Sequence, residues 1–209
     1  MARPSRPASL TAIVAARAAQ AGERGPVAAL VPAGRVVEVS AAVASGRLTL
    51  AVLFVLDAQR RGDPCAWVQP EGAGLFPPDL AAAGVALDRL VVVHAPRDAA
   101  AVARAAELLL RSGGFGLVVI DLTAGAPRGD AWVVRLGGLV RHHDARAVIL
   151  TSQPSDGASA GALVALRVEP SRRRESGRYV IAPSVLRDRC DLSRRVEPTP
   201  HRAPWEVLR

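Results

Sequence analysis

From Gly34 onward, short runs of β-branched and aliphatic residues alternate with longer stretches whose apolar residues recur at helical spacing. The runs are Val36–Ser40, Cys65–Gln69, Leu90–His94, Leu117–Asp121, Ala147–Ser152, Leu163–Glu169 and Arg178–Ala182. The first five are almost continuously hydrophobic, the pattern of parallel strands covered on both faces. Between them, Arg47–Arg61 predicts a helix closed by two arginines and Gly62. Asp98–Ser112 opens on a capping aspartate, repeats Val102, Ala105 and Leu109 on one side, and stops at Gly113-Gly114. Asp130–His143 carries Val133, Val134, Leu136, Leu139 and Val140 at helical intervals. Strand–helix alternation of this kind predicts an α/β fold, with a mostly parallel central sheet, flanking helices and right-handed crossovers. The last two runs, joined through Pro170–Gly177, predict a C-terminal antiparallel hairpin. Upstream, Ser9–Gln20 places Leu10, Ile13 and Val14 at helical spacing. The expected layout is an N-terminal helix and linker over 1–33, a core over 34–186 and an Arg/Pro-rich tail over 187–209.

Composition sharpens this picture through one omission. The 209 residues contain no lysine, so all 27 basic side chains are arginine, against 19 acidic ones, for a net charge of +8. That excludes Schiff-base chemistry, pyridoxal-phosphate attachment and a phosphate-loop lysine. Cys65 and Cys190 are too few for a disulfide framework and read as reduced thiols. No apolar run reaches the ~18 residues of a membrane span, and Met1–Leu10 lacks a signal core, so the expectation is a soluble cytoplasmic protein. His142-His143-Asp144 sit at a helix end, where imidazoles suit the dipole, so no metal is expected. No cofactor is expected either.

Doubly wound sheets bind ligands at the carboxyl ends of their strands, which directs attention to the first strand–helix junction, Gly34–Leu50. There "GRVVEV" followed by "SGRLTL" resembles the first strand and phosphate loop of the RecA family. "CAWVQPEGAG" resembles that family's second strand with its acidic end, and "LAAAGVALDRLVVVHA" its next helix, turn and strand. "LLLRSGGFGLVVIDL" is similar to its Walker B strand and "AVILTSQ" to the strand ending in a sensor glutamine. The ordered series covers roughly Gly34 to Arg189 and implies a RecA-like core.

The departures bear on activity. A working phosphate loop reads G-x-x-x-x-G-K-[ST], with glycines for close approach, lysine on phosphates and a hydroxyl on magnesium. Here Ala41 replaces the first glycine, Arg47 the lysine and Leu48 the hydroxyl, and only Gly46 remains. Thr49 is one position late, about 100° around the helix. ATP hydrolysis is therefore not expected. Glu71, Asp121 and Gln153 fall where the resemblance implies the catalytic glutamate, the Walker B aspartate and the sensor glutamine. Each also fits a plainer role as a solvated strand end or a helix cap. The segments Thr123–Gly129 and Pro154–Ser159, where the recombinases carry long DNA-binding loops, are short and nearly uncharged.

Positive charge concentrates toward the end: residues 166–209 hold 11 arginines and 6 acids, leaving 16 and 13 for the first 165. Arg172, Arg173, Arg174 and Arg178 are candidates for a contact to phosphates or an acidic protein surface, against the alternative of a solvated turn. With 3% aromatic residues, any DNA contact would be weak and directed to the backbone. Trp205 and Leu208 form a candidate docking peptide or fold back on the core. A RecA-like chain with a degenerate phosphate loop resembles the ImuA family of mutasome accessory proteins. That resemblance implies partners in an ImuB-type, Y-family-like polymerase homologue, an error-prone replicative-type polymerase and RecA itself, in SOS-induced translesion synthesis. Two other readings stand beside it: a SulA-like division inhibitor binding FtsZ, and a weak RecA-like ATPase.

Overall fold

The structure, a computed structural model, describes residues 30–42, 46–175, 178–190 and 201–202, with the backbone alone for 173–175, 178–180 and 201–202. Its elements in chain order are β1 Arg35–Ser40, α1 Arg47–Arg60, β2 Cys65–Pro70, α2 Pro77–Ala82, β3 Leu90–Ala95, α3 Ala99–Arg111, β4 Leu117–Leu122, α4 Ala131–His142, β5 Arg146–Thr151, β6 Leu166–Glu175, β7 Arg178–Asp188 and β8 His201–Arg202. They form one eight-stranded sheet in the order β3-β2-β4-β5-β1-β6-β7-β8. The strands from β3 to β6 in that order pair in parallel, and β7 and β8 add antiparallel.

The alternation of each strand sorts its side chains to two cores. Val37, Val39, Trp67, Val119 and Leu150 face α1 and Leu80 of α2 on one side. Val36, Val68, Ile120 and Ile149 face α3 and α4 on the other. Helix α1 buries nine of its fourteen residues, because the sheet, α2 and Leu30–Val31 enclose it on several sides. Helix α3 begins as its sequence dictates: the Asp98 carboxylate accepts from the Ala101 amide at 3.0 Å.

Four expectations need correction. Strand β3 is not covered on both faces: it is the sheet edge, and Val91 and Val92 are 47% and 36% exposed. Leu163 belongs to a turn before β6, not to the strand. The hairpin strands are longer than their apolar runs, so Arg172, Arg173 and Arg174 lie within β6, opposite Ile181, Val180 and Tyr179, instead of in the turn. The tail contributes a strand, since His201 and Arg202 pair with Ile181 and Val180. In each case backbone pairing, which periodicity does not read, decides the outcome. The Ser9–Gln20 helix, Trp205 and Leu208 lie outside the described residues. Among the described residues no helix is long and apolar enough to cross a membrane.

Cys65 is buried at the start of β2, with its Sγ against the Asp63 and Val55 carbonyls. Burial pushes its thiol up to about 12, with Asp63 adding to the shift. Cys190 is only partly buried. A thiol reagent at pH 8 should therefore titrate Cys190 in the native protein and reach Cys65 only after unfolding. The raised pKa also means that stability held below about pH 9 declines as pH rises toward 12, because the unfolded thiol ionises first. Two equally fast native thiols would contradict this burial.

Candidate functional site

The carboxyl ends of β4, β5 and β1 stand side by side, with the β1–α1 junction at the end of β1. Gly46 begins α1 with φ 89°, a left-handed conformation that glycine adopts without strain. A methyl group there would also collide with Ile181 of β7, which is fully buried against it. The hairpin thus folds over the surviving glycine of the phosphate loop. Residues 43–45 of that loop lie outside the described set.

Arg47 does not point to open solvent. Its Nη1 donates to the carbonyls of Ala41 and Thr151, both at 2.7 Å, and so ties the ends of β1 and β5 together. Burial lowers the pKa of this guanidinium, and the nearby Asp121 carboxylate opposes that shift. Asp121 is itself occupied: its Oδ1 accepts from the Thr123 amide at 3.0 Å and the Thr123 hydroxyl at 2.7 Å, closing the turn after β4. Leu48 is 44% exposed and lies with Val52, Leu75 and Phe76 around an apolar hollow of about 210 Å³. Thr49 lines the same hollow, away from Asp121.

The sheet topology explains where the remaining candidates go. The helix after β2 packs on one face and the helix after β4 on the other, so these neighbouring strand ends diverge. They leave a cleft of about 340 Å³ that holds Glu71, Arg97 and Asp121. Glu71 is exposed, and its carbonyl accepts from Arg97 Nε at 2.8 Å. Gln153 is also exposed and lines a second cleft, of about 450 Å³, between the turns that follow β4 and β5. Asp121 and Arg47 are thus brought together electrostatically, whereas Leu48 faces elsewhere and Glu71 and Gln153 stand in separate clefts. Among the described residues no cluster of three or more His, Cys, Asp or Glu side chains could hold a metal ion. His142 and His143 pack edge to face at 4.6 Å.

Sequence reasoning missed the most buried polar group of this region. Glu38, in the middle of β1, is fully buried, and Arg167 of β6 is 4% exposed. Arg167 Nε lies 3.8 Å from Glu38 Oε1 and donates to Ser40 Oγ at 2.8 Å. Glu38 also accepts from Thr151 Oγ1 at 2.8 Å, Ser159 Oγ at 2.7 Å and the Ala160 amide at 2.9 Å. The Arg167 nitrogens reach the carbonyls of Pro154 and Gly157. Glu38 inside the apolar run of β1 was the available signal, because a charged residue there is buried only when paired.

The parallel sheet, the glycine-led strand–helix junction and the flanking helices define an α/β protein of RecA-like fold. The chain belongs to the RecA N-terminal domain family, whose model matches residues 23–131, from before β1 to the start of α4. RecA of Rickettsia bellii is 34% identical over 94 residues, 45% of this chain and 27% of that protein. RecA of Teredinibacter turnerae is 38% identical over 93 residues, 44% of this chain and 27% of that protein. For RecA of Paramagnetospirillum magneticum the figures are 37% over 101 residues, 48% and 28%. The chain thus spans little more than a quarter of these relatives.

Replacing Arg167 with alanine leaves Glu38 as an unpaired buried charge. The expected loss is about 3–5 kcal/mol of unfolding free energy, read from denaturant titration. A loss below about 1 kcal/mol, the range of exposed pairs, would show that the pair does not fasten the sheet.

Proposed function

We propose that this chain is a non-catalytic RecA-like adaptor of the ImuA type, serving translesion DNA synthesis after DNA damage through protein contacts. Its partners in this reading are a Y-family-like polymerase homologue of the ImuB type, an error-prone replicative-type polymerase and RecA. The observation that carries the reading is the placement of Arg47. The side chain at the phosphate-binding position is tied to two strand-end carbonyls. Leu48 offers magnesium no oxygen, and this ion binds oxygen ligands. Ile181 packs on the glycine that a phosphate would approach. A RecA core with its phosphate loop altered in this way is suited to binding other proteins, and the fold supplies surfaces for it.

Purified protein is expected to show no Mg²⁺-dependent ATP turnover, with the Asp121→Ala variant giving the same baseline. A rate present in the wild type and abolished by that substitution would overturn the non-catalytic assignment. The partner assignment is tested by co-purification with an ImuB-type polymerase homologue, expected to be retained. Retention of FtsZ instead would move the reading to division control.

A further inference from the structure

Arg35, Arg141 and Arg189 are exposed and come together around Leu163 near the amino end of the sheet. Arg35, Arg141, Gly137 and Leu163 line one small hollow of about 50 Å³. Arg189 adjoins it by donating from Nη1 to the Ala162 carbonyl. Leu163 is 40% exposed, although its inner side rests on Gly137 of α4. The next turn of α4 continues the surface with Val134, 48% exposed, and with Gly138, where a side chain would meet open space.

Among the described residues the three guanidinium groups are held but not neutralised. Arg35 donates to the Gly34 carbonyl at 3.3 Å, Arg141 Nε to the Gly137 carbonyl at 3.0 Å, and Arg189 to Ala162. No salt bridge among the described residues engages any of them. Backbone carbonyls thus fix part of each fork and leave other N–H groups free for a carboxylate, which lowers the entropy lost on binding. Helix α4 itself contains no acidic residue.

From this arrangement we infer that the Leu163 surface docks an acidic, leucine-bearing segment of a partner protein. The apolar side chain of the partner would cover Leu163 and Val134 while its carboxylates meet the arginines. Charge argues against the chain's own remaining segments as the occupant. Residues 1–29 carry four arginines and one acid, residues 191–200 two of each, and residues 203–209 one of each. Phosphates of a nucleic acid would satisfy the arginines and leave the leucine uncovered, and among the described residues no aromatic side chain lines the hollow to stack a base. The inference goes beyond the proposed function and does not depend on it.

The test measures fluorescence anisotropy of a labelled peptide of repeated Glu-Glu-Leu triplets with the full chain. Its counterparts are the same peptide with Gln for Glu and a single-stranded DNA of equal charge. The Arg35→Glu/Arg141→Glu variant is expected to weaken the acidic peptide at least tenfold. The Arg60→Glu/Arg104→Glu variant changes net charge equally elsewhere and should weaken it less than threefold. Leu163→Ala should weaken the peptide without changing the salt dependence, since it removes apolar area alone. Thermal melting of all variants checks that the fold persists. Failure of the wild type to bind the acidic peptide would overturn the inference, as would equal losses in the two double variants. Tighter binding of the DNA, lost on the same Arg35/Arg141 reversal, would reassign the surface to nucleic acid.

Discussion

Removing Glu38 and Arg167 from water costs several kcal/mol per ion, and their mutual attraction offsets this only when hydrogen bonds saturate both groups. Here they do, and the partners come from three places in the chain: Ser40 at the end of β1, Thr151 at the end of β5, and the 154–160 turn. Each of these segments must be in place for either charge to be tolerated. The pair therefore fixes the register of β1 against β5 and β6, and holds down the turn that follows β5. A hydrophobic substitute of equal volume could match the stability, but it would not dictate where the 154–160 backbone goes.

Arg47 extends the same logic to the other side of β1. Between the two arginines, the carbonyls of Ala41, Thr151, Pro154 and Gly157 all receive guanidinium donors. Carbonyls at and just beyond the ends of β1 and β5 are thus closed off by guanidinium groups of the chain itself. The hairpin adds the steric half of this closure. Strand β6 leaves the ion pair at Arg167, extends to Glu175, and its return strand brings Ile181 onto Gly46. One connected structure, from buried carboxylate to buried isoleucine, thus runs from the middle of β1 to the phosphate loop.

The parallel strands and the long helices were legible because each is a run of residues with one dominant period, and α3 even announces its cap in Asp98. What was not legible depended on neighbours in space. Leu90–His94 has the composition of a central strand, yet no strand lies beyond β3, so Val91 and Val92 meet solvent. Arg172–Arg174 look like a turn by charge, yet they pair along β6 because the opposite residues, Tyr179 to Ile181, are good strand formers. At the site, the substitutions at Ala41, Arg47 and Leu48 could be read directly from the motif. The partners of Arg47, and the turn that occupies Asp121, could not, since hydrogen bonds to carbonyls leave no trace in residue spacing.

The absence of lysine acquires a structural meaning from these contacts. A net charge of +8 suggests a uniformly basic surface, but the arginines divide by what holds them. Arg47 is spent on strand-end carbonyls and Arg167 on Glu38, Ser40 and the turn after β5, and Arg146 bridges the Val31 carbonyl and the Asp63 carboxylate while burial lowers its pKa. A guanidinium can serve two or three acceptors in one plane, whereas an ammonium is more strongly hydrated and loses its proton more readily when buried. These sites thus use arginine as a planar connector of backbone groups. Recognition falls to the arginines whose forks are only partly occupied. Arg35, Arg141 and Arg189 are of that kind, and they stand on the side of the domain away from the phosphate loop. The strand ends around Gly46 and the cationic surface around Leu163 are consequently separate regions of the domain.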